Sequence, residues 1–127
     1  MSFDIFLQSF AAGEAAPGDP VAARRVLDPY LAAPPDGNGY AKVRTDDGEA
    51  DVYGVGSDSL MINHASGTLI WQVVVDVAQA GGYVILPIGV PACLVREEMT
   101  GDLPGELRDG AVVVRSGAEL LDAVARA

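Results

Sequence analysis

The stretch that most restricts the fold is TLIWQVVVDVAQAGG, residues 68–82, where Gln72, Asp76 and Gln79 are the only polar side chains after the opening threonine. Spaced four and then three residues apart, they fall on one narrow stripe of a helix and leave nearly every other position apolar. A helix this dry packs broadly against a sheet, or a second subunit covers part of it. Ser66 or Thr68 offers its N-cap, and Gly81 and Gly82 stop it. The apolar run continues into YVILPIG, but Gln72, Asp76, Gln79, Gly81, Gly82 and Pro87 interrupt it. It therefore reads as a buried helix followed by a strand, not as a membrane span.

The flanking segments supply that sheet. SFDIFLQSF predicts a strand over 3–10, with Phe3, Ile5 and Leu7 on one face and Asp4, Phe6 and Gln8 on the other. AAGEAAPGDP reads as a loop. Asp19 then caps a helix with Pro20 in its first turn; VAARRVLDPYL offers Val21, Ala22, Val26 and Leu27 to a core until Pro29 ends it near Asp28. YAKVRT and EADVYG alternate on either side of DDG and form the strongest hairpin signal, with an exposed turn. LMINHA is a short strand ending near His64, and ACLVREEM a further strand. The acidic TGDLPGELRDG is an exposed turn, and AVVVRS a strand. Ser116 and Glu119 have capping-box spacing at the start of a terminal helix.

Helices separated by hairpins give an α+β domain, a single-layer, mainly antiparallel sheet covered by two or three helices. Its preferred form is an elaborated ferredoxin-like fold, the first and the central strand-helix-strand units making the two halves. A chain of 127 residues supports one core, so residues 1–127 form one domain.

A formal net charge of −10 repels phosphate backbones, and Arg24–Arg25 is the only adjacent basic pair. Nucleic acid is therefore disfavoured as a partner, while a basic protein surface is electrostatically suited. The opening MSFDIFLQSFAAGE lacks a basic region and carries an acid at position 4, against a secretory signal. The single cysteine, Cys93, has no internal disulfide partner, which fits the cytoplasm. No nucleotide-binding glycine pattern, Walker pair or nucleophile elbow is present. No metal or cofactor is implied.

Chemistry has few anchors. His64, the only histidine, follows Asn63 and precedes Ser66, with the only tryptophan, Trp71, soon after. At a strand end before a helix it suits a pocket or an anion, and equally well the rim of a core. The sharper reading makes His64 a base and Cys93 a nucleophile, with Asn63 or Asp51 assisting and Ser66, Tyr53 and Trp71 lining the site. The plainer one buries Cys93, Tyr53 and Trp71 as core and leaves Asp51, Asp58, Glu97 and Glu98 solvated or locally paired.

The segments MSFDIFLQSFAAGE, MINHASGTLIWQVVVDVAQAGGYVILP and LPGELRDGAVVVRSGAELL together resemble an uncharacterised family of small bacterial proteins. That resemblance implies a bacterial, cytoplasmic, single-domain protein, of a general sort discussed as immunity or accessory proteins, and assigns no residue a role. Two functional expectations remain. One is a protein-interaction or regulatory protein, with a weak homodimer suggested by the high apolar content and the thin polar stripe. The alternative is a small-ligand binder or enzyme with a pocket around His64.

Overall fold

The computed structural model describes residues 4–126, so Phe3 lies outside the described residues. The elements run β1 (Ile5–Ala11), β2 (Glu14–Ala16), α1 (Pro20–Leu27), β3 (Ala41–Arg44), β4 (Glu49–Tyr53), β5 (Leu60–Asn63), α2 (Leu69–Gly81), β6 (Val84–Pro87), β7 (Cys93–Leu94), α3 (Gly105–Arg108), β8 (Val112–Val113) and α4 (Gly117–Ala125). Short 3-10 turns occupy Asp28–Tyr30 and Glu97–Asp102. The strands form one mixed, mostly antiparallel sheet in the order β3-β4-β5-β1-β6-β7-β8, with β2 folded back on β1 and only β7 and β8 parallel.

The architecture is α+β, as the alternating strands and dry central helix predict, but the strand order is not ferredoxin-like. Only the central half of that arrangement forms. β5 and β6 both run antiparallel to β1, which lies between them, so β5-α2-β6 is a split crossover over β1. The first half does not form, because the β3-β4-β5 meander returns β5, not β3, to the edge of β1. The loop expected at residues 11–20 contains a second hairpin. Ala12 and Gly13 both have positive φ (52° and 84°), the backbone of a two-residue turn that matches strand twist, and β2 follows. Alanine is not a usual residue for that turn, which conceals it in the sequence.

Alternation sends Ile5 and Leu7 of β1, Val43, Ala50, Val52, Leu60, Ile62, Ile85 and Cys93 to one face of the sheet. There they meet α1, α2 and α4, which share that core through Leu27, Ile70, Val74, Val77, Leu120 and Val124. α2 is flanked by α1 and α4, which accounts for its thin wet face. In α1 the buried positions are Ala23 and Leu27, whereas Val21, expected in the core, is 61% exposed. Asp19 accepts a hydrogen bond from the Ala22 amide at 3.0 Å, and the helix ends at Leu27, two residues before Pro29.

Among the described residues, the opposite face is covered only at one end. Val84, Ala92, Leu94 and Leu103 form a second, smaller core there with Phe10, Met99, Leu107 and Val113. Residues 97–108 are thus the lid of this core, and the acidic stretch 100–110, expected as an exposed turn, supplies Leu103 and Leu107 to it. The lid is tied to the β1–β2 hairpin by bonds from the Ala12 and Gly13 amides to Asp102. ACLVREEM accordingly contributes only Cys93–Leu94 to the sheet.

Candidate functional site

The uncovered part of the second face lies on β3, β4, β5, β1 and the end of β6. The hairpin turn sets its register, pairing Arg44 with Glu49, Lys42 with Asp51 and Ala41 with Val52. β5 adds Asn63 opposite Asp51 and Met61 opposite Tyr53, and β1 adds Phe6 opposite Met61. Two rows therefore cross the strands. One is polar, Lys42–Asp51–Asn63. The other is apolar, Tyr53–Met61–Phe6–Leu86, and spans four strands or roughly 14 Å at ordinary strand spacing. Phe6 remains 42% and Tyr53 37% exposed.

Asp51 is the hub of the polar row, its side chain only 14% exposed. Tyr40 donates its hydroxyl to Oδ1 at 2.7 Å, Lys42 Nζ lies 3.5 Å from the same oxygen, and His64 Nδ1 is 2.9 Å from Oδ2. The Tyr40 hydrogen bond, with those from His64 and Lys42, holds the Asp51 carboxyl below its usual range despite partial burial. The same contact raises the Tyr40 phenol above its ordinary value. Lys42 also donates to Glu49 at 2.8 Å, which raises the amine and lowers the carboxyl. The Tyr40 and Tyr53 rings lie 5.2 Å apart and link the two rows.

An ionised carboxylate only accepts, so His64 Nδ1 carries the proton toward Asp51, and in the neutral ring Nε2 presents a lone pair. The ring is 63% exposed and its residue sits at φ 53°, a left-handed conformation sparsely used by side chains other than glycine. Asp51 thus orients the ring on an open surface. No serine, threonine or cysteine side chain among the described residues is hydrogen-bonded to it.

The other proposed members separate from it. Cys93 lies on β7, three strands from β5, and faces the helix-covered core. Burial pushes its thiol up to about 11, the reverse of what a nucleophile needs. Cys93 and His64 thus form no pair. Trp71 is buried in the α2 core and unavailable as a wall. Ser66 is held by Glu49, whose amide donates to its hydroxyl at 3.1 Å. Asn63 stays beside Asp51 in the polar row, with Oδ1 buried and, among the described residues, without a hydrogen-bond partner. Among the described residues no three histidine, cysteine, aspartate or glutamate side chains gather as metal ligands, and no helix is long and apolar enough to cross a membrane.

Tyr40 is the member that the sequence reading missed. Its signal was present: counting back from the DDG turn puts residue 40 beside residue 53 and next to Asp51.

A second feature of the open face is a cleft of about 370 Å³ where the apolar row reaches β6, lined by Phe6, Leu86, Ile88 and Leu107, with Glu106 and Asp109 among its walls. Grooves of about 430 Å³ and 550 Å³ lie elsewhere, between β8 and α4 and beside the start of α2, and neither includes His64 or Asp51. No protein-family model, curated protein or solved structure matches the chain.

Proposed function

We propose that this chain is a small, acidic, cytoplasmic protein-interaction module, regulatory or immunity-like in role, that engages a basic protein surface through the open half of its sheet. The observation that carries this reading is the row Tyr53–Met61–Phe6–Leu86, two of whose members are aromatic and more than a third exposed. Rigid aromatic side chains on a sheet supply binding area at little entropic cost, and residues of this type dominate interface energetics. The net charge of −10 supplies attraction to a basic partner and repels nucleic acid and anionic lipid surfaces alike.

Capture from a cell extract, followed by affinity measurements at low and moderate salt, tests the proposal. Binding weakens as salt screens the exposed charges. Tyr53→Ala or Phe6→Ala weakens it roughly tenfold or more, as expected for anchoring aromatics. Affinity unchanged in both variants removes the row from the interface.

A second reading, a small-ligand binder or enzyme around His64, is favoured by the 2.9 Å Asp51–His64 contact, which leaves Nε2 without a partner among the described residues. Absence of any protein partner, together with small-molecule turnover that His64→Ala abolishes, makes this the better account. A weak homodimer through the same row is the minor mode of association, since it brings like charges together.

A further inference from the structure

We infer that the cleft at the β6 end of the open face is the specificity pocket of that interface, built for an apolar side chain with a lysine or arginine beside it in an extended segment of the partner. The inference rests on the interaction reading above and adds the chemistry of what is recognised.

The apolar part of the pocket is explicit. Phe6 of β1 and Leu86 of β6 stand opposite each other, and Ile88, 56% exposed, follows where its amide bonds to the Asp4 carbonyl at 3.0 Å. Leu107 of α3 closes the far wall. The volume of about 370 Å³ lies near the lower end of the range for ligand clefts, which suits one or two side chains better than a folded element.

Charge decides among occupants. Glu106 and Asp109 belong to the pocket wall, and among the described residues neither makes an ion pair. Arg108 lies between them in sequence, yet its guanidinium turns back to the Leu103 and Gly101 carbonyls at 3.1 and 3.2 Å. With Arg108 committed to neutral carbonyls, both acids stand unpaired among the described residues beside an apolar floor. A second copy of this chain would set the same acids against each other, and a partner lysine or arginine would neutralise them.

Three capped five-residue peptides serve as probes: leucine at the centre flanked by lysines, the same with glutamates for the lysines, and the lysine peptide with serine for the leucine. Amide chemical shifts of the labelled protein are followed in titrations with each. The lysine–leucine peptide shifts the Phe6, Leu86, Ile88 and Leu107 amides, and each of the other two binds at least roughly tenfold more weakly. The double variant Glu106→Lys, Asp109→Lys changes two exposed side chains and leaves both cores intact, and it reverses the preference in favour of the glutamate peptide. Equal binding of the three peptides, an unchanged preference in the variant, or shifts confined to other residues overturns the inference. So does movement of the pocket amides with protein concentration alone, the sign of a second copy. A captured protein partner whose affinity the double variant leaves unchanged defeats the pocket assignment while the interaction reading stands. Absence of any captured partner defeats that reading instead.

Discussion

Asp47, in the β3–β4 turn, caps α2 from across the chain. Its carboxylate accepts from the Thr68 amide and hydroxyl, both at 2.8 Å, and from the Leu69 amide at 3.3 Å. Thr68 occupies the N-cap position but makes no capping bond with its own side chain, and Ser66 turns to Glu49. The Thr68 amide is the chief reason that the Asp47 carboxyl is pulled down to about 2. Because the folded value lies below the ordinary 3.8, the stabilisation is complete above that value and is lost as pH falls toward 2. Asp47→Asn should therefore melt roughly 3–6 °C below the parent near neutral pH, with the gap closing in melts recorded at progressively lower pH. A constant gap down to pH 2 would show that the charge is not what matters. The sequence offered Asp51 only as one possible assistant to His64, and their pairing follows once β4 is set against β5. Local alternation gives each residue a face, whereas contact between residues 51 and 64 is a long-range consequence of register.

Elements were legible where a long periodic pattern met clear punctuation. α1, α2, α4 and the β3–β4 hairpin all lie where capping residues, glycines and alternation put them. β7 and β8 are two residues each, and the apolar stretches around them reflect burial beneath the 97–108 segment as much as pairing. That segment shows no sustained period, because a short 3-10 turn and a four-residue helix cover this face. The start of α4 shows why α2 keeps its polar stripe. Gln72 accepts from the Gly117 amide at 2.8 Å and donates to Asp76 at 2.9 Å, so Gln72 seats the start of α4 while Asp76 holds its side chain. Gly117 lies so close that a Cβ would overlap the backbone of Gln72. Gly117→Ala is expected to lower stability by about 2–3 kcal/mol through overpacking, measurable by urea unfolding. A cost below about 0.5 kcal/mol, the range of ordinary surface changes, would mean that α4 shifts to accommodate it.

For the whole molecule, the open face and the charge act in opposite directions on self-association. Covering the Tyr53–Met61–Phe6–Leu86 row favours a dimer, whereas bringing two acidic copies together opposes it. Sedimentation over a concentration series should show a monomer at low salt and weak dimer formation as salt rises, opposite to the salt response of a basic partner. A dimer that dissociates with added salt would place self-association on contacts other than this row. The position of β1 has a practical side. Its first residue, Ile5, pairs with Ile62 and Pro87, so the chain enters the middle of the sheet beside Ile88 and one strand from Asn63 and His64. An affinity tag fused ahead of Asp4 would crowd the rim of the proposed binding surface. The same tag fused after α4 departs from the layer that packs on α2, across the sheet from that surface.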